Sequence, residues 1–195
     1  MTQTQDEAAG LLARDGGLGA VARARDEVTT DGAVRTRTYS WTDPAATFEA
    51  LAGRSGLELL SAMGRGELPP PPVMATLGIE PVEFTEGLVR FALDPQEMHY
   101  NPLGTVHGGV LATLLDSATG CAVHSVLPEG TGYTTLDLNA RYLRPVTTDT
   151  GRIVVTGTVV SRGSRTALAE ARLTDSRDRL LAHATSTCLL FSTRP

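Results

Sequence analysis

The stretch of sequence that decides the fold is residues 101–118, NPLGTVHGGVLATLLDSA. From His107 onward the apolar residues recur at the three- and four-residue spacing of one helical face, and this spacing continues to about Val126. Between His107 and His124 the only charged residue is Asp116, and small residues occupy most of the side opposite the apolar stripe. A helix that is apolar around most of its circumference is buried on most sides. The pattern therefore predicts a long internal helix.

Strand-like segments lie on both sides of this helix. Within residues 132–144, polar residues such as Thr135 alternate with an apolar set that includes Leu136 and Leu138, which is the period of a strand with one apolar face. The predicted strands are residues 73–79, 82–84, 88–93, 132–144, 152–162, 165–174 and 180–191. One helix with strands before and after it predicts an α+β domain in which a sheet wraps around a central helix.

The chain before the strands divides into two parts. Residues 1–35 contain no Phe, Tyr or Trp and mix acids and arginines with Gly, Ala and Thr, a composition that predicts a poorly ordered tail. Residues 42–44, Thr-Asp-Pro, read as a helix cap followed by proline at the first helical position, so residues 36–68 are predicted to be a helical extension. Four prolines, predicted to form a stiff extended connector, then open the main domain at residues 69–195.

The composition excludes several kinds of chemistry. All 17 basic residues are arginines, so a Schiff-base lysine and a phosphate-binding Walker A lysine are both absent. A net charge of −5 argues against nucleic acid as a partner, and no apolar stretch is long enough to predict a membrane span. Two distant cysteines and four histidines without close ligand spacing predict no metal and no disulfide framework. The first twenty residues lack a basic start and an apolar run, so the expected location is the cytoplasm.

Two features of the central helix point to chemistry. Asp116 lies in an otherwise apolar helix, where a carboxylate is costly unless it is paired or used. Arg141 or Arg144 could pair with it structurally. The sequence His107-Gly108-Gly109 stands where the helix begins, and glycines there let a ligand approach the backbone closely. The free N–H groups of a first helical turn favour an anion or a developing oxyanion.

The stretch at 101–118 resembles the signature of the hotdog-fold acyl-CoA thioesterases of the phenylacetate-pathway (PaaI-like) type. The resemblance covers roughly residues 55–192 and includes TTLDLNARYLRP at 134–145 and GSRTALAEARLTD at 163–175. It implies a hotdog fold, in which an antiparallel sheet wraps around the long helix, and hydrolysis of an acyl-CoA to free acid and CoA. No cofactor is expected, because CoA leaves as a good thiolate.

The resemblance also assigns roles to individual residues. Asp116 matches the family's catalytic carboxylate, and the backbone N–H of Gly108 matches its oxyanion donor. Asn101 and His107 match supporting residues that hold the loop or polarise the carbonyl. Thr135 matches a hydroxyl that some relatives supply from Ser, and it is expected to orient the water.

The spacing of two of these residues predicts a shared site. Gly108 and Asp116 are eight residues apart on one helix, or about 12 Å, so one thioester carbonyl cannot touch both. A two-fold dimer with antiparallel helices would pair Gly108 of one subunit with Asp116 of the other, as the resemblance also implies. The predicted assembly is a homodimer, or a homotetramer made of two dimers.

Further residues are candidates for substrate binding. Gly109 would let substrate approach the helix start, while Arg162 and Arg165 flank a turn and could bind CoA phosphates or simply be solvated. The sequence allows more than one mechanism and more than one substrate. Asp116 could act as general base or as nucleophile, and the acyl group could be aryl, short-chain or medium-chain. The alternative functions are an acyl-CoA-binding protein without activity and, with less support from the motif, a hotdog hydratase or dehydratase.

Overall fold

The computed structural model describes residues 34–45 and 53–193. The chain divides into two compact units, residues 1–38 and 39–195; the described part of the first, residues 34–38, has no regular secondary structure. The predicted tail, apart from its last two residues, and the first predicted helix beyond Ala45 lie outside the described residues. None of the described helices is long and apolar enough to cross a membrane.

One antiparallel sheet and one long helix make up the second unit. In chain order the elements are α1 Gly56–Gly64, α2 Pro72–Leu77, β1 Ile79–Thr85, β2 Leu88–Leu93, α3 Gly108–Ser125, β3 Thr131–Tyr142, β4 Ile153–Arg162, β5 Thr166–Thr174 and β6 Leu180–Ser192. The six strands lie in the order β1-β2-β4-β5-β6-β3, and each neighbouring pair is antiparallel. Helix α3 contacts all six strands, so the expected hotdog fold is confirmed.

The segment before β1 differs from the prediction. Residues 73–79 were expected to form a strand, but residues 72–77 form helix α2 instead. Pro72 occupies the first helical position, where its fixed φ is favourable and its missing N–H costs nothing. Gly78 ends the helix at φ 73°, and its N–H donates to the Met74 carbonyl. The predicted proline connector therefore ends one residue early, because its last proline starts the helix.

Helix α3 lies very close to β4. A Cβ at Gly157 would collide with the Ala118 carbonyl oxygen and would lie 3.0 Å from the Ala118 Cβ. On the same helix Leu114, Leu115 and Ala122 are completely buried. Because the small residues at the contact let the helix backbone approach the sheet, its apolar stripe reaches the core directly.

A β-bulge in β3 changes which side chains face α3. Thr135 pairs with Cys188, but the next pair is Asp137 with Thr187, so Leu136 is the extra residue. The simple alternation placed Leu136 on the buried face and Thr135 on the other, and this prediction is wrong. Leu136 is 57% exposed, while the Thr135 side chain turns toward α3.

Helix α1 is attached to the C-terminal end of α3. Its first turn is closed by a capping box between Ser55 and Glu58. The Gly56 N–H donates to the Leu127 carbonyl at 3.0 Å, and a Cβ at Gly56 would collide with the His124 carbonyl. The extension thus contributes to the stability of the main domain, although the boundary at residue 69 stays a prediction.

We expect Gly157→Ala to destabilise the protein, because the added methyl group would meet helix backbone that has no room to move. Overpacking of this kind costs about 1–3 kcal/mol, which lowers Tm by roughly 3–10 °C in a chain of this size. Gly163→Ala is the matched control, since its Cβ would meet only the Thr166 carbonyl oxygen at 3.3 Å in an exposed turn. Thermal unfolding that leaves both variants equal to wild type would contradict the close α3–β4 contact.

Candidate active site

The N-terminus of α3 presents a free backbone N–H. His107 is the N-cap, and its Nδ1 accepts a hydrogen bond from the Gly109 N–H at 2.9 Å. The His107 N–H in turn donates to the His99 carbonyl at 2.7 Å. Gly108 is the first helical residue, so its N–H has no partner within the helix. No acceptor for that N–H lies within residues 34–45 and 53–193, so it remains available to a ligand.

Asn101 holds the loop that leads into this helix. Its Nδ2 donates to Thr105 Oγ1 at 2.9 Å, and its Oδ1 accepts from the N–H groups of Leu103 and Thr105. Two backbone hydrogen bonds join Asn101 to Gly104 and Thr105 as well. Because the amide side chain is engaged at both ends, the structure supports a loop-holding role for Asn101 over polarisation of a carbonyl.

An open cavity of about 340 Å³ adjoins the start of the helix. Its walls come from the 101–106 loop, from the first turn of α3 and from the end of β3 with the chain that follows. Among the lining residues are Asn101, Gly108, Leu111, Tyr142 and Arg144. Asp116 is not among them, so the cavity of one chain has the proposed oxyanion donor but lacks the carboxylate.

Asp116 has a hydroxyl partner. Thr135 Oγ1 donates to Asp116 Oδ1 at 3.0 Å, and this contact depends on the bulge in β3. The arginine partners considered from the sequence lie elsewhere: Arg141 donates to Asn139 and Ala140, and Arg144 donates to the Leu180 carbonyl. Asp116 is therefore held by a neutral hydroxyl, and neither Arg141 nor Arg144 is its partner.

The next helical turn beyond Asp116 is closed by an aromatic side chain. The Tyr133 ring lies over Gly120, where a Cβ would be 2.8 Å from it, and its centroid is 5.4 Å from that of His124.

Burial raises the pKa of the Cys121 thiol to about 12, so this cysteine is protonated and is not a nucleophile. Burial lowers the pKa of His124, which favours packing over a charged role at the helix end.

The two halves of the predicted site are therefore apart within one chain. Asn101, His107, Gly108 and Gly109 cluster at the helix start, and Asp116 with Thr135 lies two turns further along α3. Eight residues of helix separate the two groups by about 12 Å.

Of the three substrate-binding candidates, the two arginines lie away from the helix start and only Gly109 belongs to it. Arg162 donates to the Val126 carbonyl at 2.9 Å and so caps the C-terminal end of α3, about 27 Å from its start. Arg165 is exposed in the turn between β4 and β5. Gly109 uses its N–H on His107, which leaves only close backbone approach as its contribution to binding.

The other histidines have structural contacts. Buried His99 bonds the Gln96 N–H through Nδ1 and the Leu77 carbonyl through Nε2. On the outer side of the sheet, Nε2 of His183 lies 3.5 Å from Oε2 of Glu170.

Tyr142 also belongs to the group of residues at the helix start, and this was not predicted from the sequence. Its hydroxyl donates to the Gly108 carbonyl at 3.0 Å. A signal for this contact was present in the sequence. Tyr142 lies on the inward face of β3, at the end of a strand that runs antiparallel to the helix.

Comparison with known proteins identifies the family of this chain. Residues 103–182 match the thioesterase superfamily. The 1,4-dihydroxy-2-naphthoyl-CoA hydrolase of Listeria monocytogenes is 30% identical over 107 residues, which cover 54% of this chain and 85% of that protein. Mouse acyl-coenzyme A thioesterase 13 is 35% identical over 80 residues, which cover 41% of this chain and 56% of that protein.

A solved structure shows the same fold at a similar level of identity. The phenylacetic acid degradation-related protein of Ralstonia eutropha superposes with a TM-score of 0.61 at 32% identity, covering 67% of this chain and 98% of that one. The residues that match the thioesterase superfamily, 103–182, include helix α3 with Gly108 and Asp116. The chain belongs to the thioesterase superfamily, where it is similar to phenylacetate-pathway members, and it is a thioester hydrolase.

Proposed function

We propose that this chain is an acyl-CoA thioesterase whose active site is built by two copies of the chain. The observation that carries the proposal is the separation of the two halves along α3. Gly108 has a free N–H and Asp116 has an oriented carboxylate, but about 12 Å of helix lies between them. A thioester carbonyl that uses both must therefore draw them from different subunits.

The edge of the sheet offers the surface for such a pairing. Strand β3 is an outer strand of the sheet order, so one side of its backbone pairs with no strand among residues 34–45 and 53–193. The bulge residue Leu136 exposes 57% of its surface there, and the α3 side chains near Asp116 are small. A two-fold axis beside β3 would bring two α3 helices together antiparallel and produce two equivalent sites. A homodimer is the smallest assembly that does this, and a dimer of dimers retains it.

The chemistry at each site would be divided between the subunits. The thioester carbonyl oxygen accepts the Gly108 N–H, and the positive end of the α3 dipole stabilises the charge that develops on it. Asp116 of the partner subunit takes a proton from water as the water oxygen bonds to the carbonyl carbon, or its oxygen attacks the carbon directly to form an anhydride. Collapse of the tetrahedral intermediate breaks the C–S bond and releases CoA thiolate. The first route leaves the free acid directly, whereas the second leaves the anhydride, which water hydrolyses to the free acid and the Asp116 carboxylate. Thr135 orients the carboxylate or the water.

The substrate class is supported by a relative. The Listeria monocytogenes protein is named as a hydrolase of a CoA thioester, and the present chain covers 85% of it. A CoA thioester also suits the open cavity beside Gly108, which can admit a long substituent from solvent and carries Arg144 in its wall. The acyl group itself is left to experiment.

We expect Asp116→Asn to lower kcat by at least about 10²-fold, because the amide can neither accept the proton nor attack the carbonyl. The measurement is free thiol released from a panel of aryl-, short- and medium-chain acyl-CoA substrates. Asp149→Asn, a change at an exposed position in the 148–150 turn, is the control and should retain wild-type rates.

Each alternative has its own result in the same panel. Near-normal turnover by Asp116→Asn would remove Asp116 from the mechanism. Tight acyl-CoA binding without thiol release in the wild type would favour the binding protein, and loss of absorbance from an enoyl-CoA without thiol release would favour the hydratase.

Mixing two inactive variants tests the shared site. In a mixed dimer of Asp116→Ala with Gly108→Pro, which removes the oxyanion N–H, one interface carries both defects and the other carries neither. Random exchange makes half of the dimers mixed with one good site each, so activity should return to about a quarter of wild type. Each variant exchanged with itself is the control, and folding and exchange are verified by circular dichroism and native mass. A mixture as inactive as its parents would place the site within one chain.

Arg162 and Arg165 remain proposed contacts of the CoA phosphates. Their replacement is expected to affect the stability of the protein differently, because only Arg162 also bonds the end of α3. Arg162→Ala would remove a cap from α3 and is expected to lower Tm. Arg165→Ala should leave Tm unchanged and raise KM about 3- to 10-fold at low salt, with the difference shrinking as ionic strength rises. Arg177→Ala, another exposed turn arginine, is the control. Equal KM values for wild type and Arg165→Ala would remove Arg165 from the binding site.

A further inference from the structure

The peptide group between Gly108 and Gly109 is held at both ends. Its carbonyl, on Gly108, accepts the Tyr142 hydroxyl at 3.0 Å. Its N–H, on Gly109, donates to His107 Nδ1 at 2.9 Å. These contacts come from different parts of the fold, since Tyr142 ends β3 and His107 precedes α3.

Tyr142 also packs against the helix start. Its ring carbons lie 3.6 Å from the point where a Cβ on Gly108 would be. The side chain is nevertheless 49% exposed, so it is not a core residue whose role is burial. Its ring lines the cavity beside Gly108. The hydroxyl thus contacts helix backbone, and the same residue borders the space where substrate is proposed to enter.

Two adjacent glycines give this turn unusual backbone freedom. Glycine populates more of φ/ψ space than any other residue, and the first turn of a helix lacks half of its intrahelical hydrogen bonds. An oxyanion donor is effective only when its direction is set before the charge develops. An external contact that fixes the Gly108–Gly109 peptide therefore has a direct bearing on the direction of the neighbouring Gly108 N–H.

We propose that Tyr142 is a positioning residue for the oxyanion donor, acting through its hydrogen bond to the Gly108 carbonyl. The inference rests on the proposed function, because it takes the Gly108 N–H as the group that meets the thioester oxygen. Tyr142 holds one end of the Gly108–Gly109 peptide and His107 holds the other. Substrate binding does not require the hydroxyl, whereas the transition state requires the N–H direction that the hydroxyl maintains.

The test is Tyr142→Phe, which keeps the ring against Gly108 and removes only the hydroxyl. We expect kcat to fall about 3- to 10-fold, the size of one ordinary hydrogen bond, with KM within about twofold of wild type. The matched control is Tyr100→Phe, which removes a hydroxyl that bonds Thr148 in another loop and should retain the wild-type kcat. An unchanged kcat in Tyr142→Phe, or a rise in KM alone, would overturn the proposal.

Backbone dynamics provide a readout that does not depend on activity. The amide order parameter of Gly108 should fall in Tyr142→Phe from the rigid value of about 0.85 toward 0.6, while that of Gly120 stays the same. An unchanged amide order parameter at Gly108 would overturn the proposal that Tyr142 holds this peptide. If wild-type protein hydrolyses no acyl-CoA, the proposed function fails while this measurement still decides whether Tyr142 holds the peptide.

Discussion

Helix α3 can lie as close to the sheet as it does only because β4 carries a glycine where the two meet. Gly157 leaves space for the Ala118 backbone, and any side chain there would push the helix away. The depth of the helix then determines which of its residues face inward and which reach the β3 edge. Asp116 falls at that edge within hydrogen-bonding distance of Thr135. A close approach of helix and strand in the core thus positions a half-buried carboxylate beside the edge strand.

Both ends of the helix are tied to the rest of the domain, so it cannot slide along its axis. At the C-terminal end Gly56 and Arg162 donate to the carbonyls of Leu127 and Val126, which directly follow the helix, and the Ser125 hydroxyl accepts the Gly87 N–H. At the N-terminal end the loop organised by Asn101 and the hydroxyl of Tyr142 hold the first turn. The proposed site depends on these contacts, because its two functional groups are two turns apart on one helix. A shift of the helix along its axis by one residue would move each group by about 1.5 Å.

The sequence predicted the elements that have a strong period and missed those that depend on tertiary contacts. The helical spacing in α3, the alternation in β3 and the turn-bounded segments of β4 to β6 gave bounds within about two residues of the observed ones. Residues 73–79 were misread because their apolar composition outweighed the proline and glycine that cap α2. A bulge leaves no trace in the alternation itself, so the orientation of Leu136 could not be seen.

Contacts across the fold were equally hidden from the sequence. The resemblance gave Thr135 and Asp116 separate roles, but the hydrogen bond between them, which joins residues nineteen positions apart, was not predicted. The contacts of Arg162 with Val126 and of Tyr142 with Gly108 join positions more than thirty residues apart. Spacing arguments work along one element, which is why they gave the separation of Gly108 and Asp116 but not the partners of either.

The bulge in β3 does two things with one inserted residue. It turns Thr135 inward to Asp116 and puts the leucine beside it on the outside of an edge strand. Under the proposed pairing, the same backbone irregularity serves the chemistry in one subunit and the apolar surface that recruits the other. Natural selection acting on either property would preserve both, so hydrolysis and self-association would be inherited as a single trait and would be lost together in a lineage that straightened the strand.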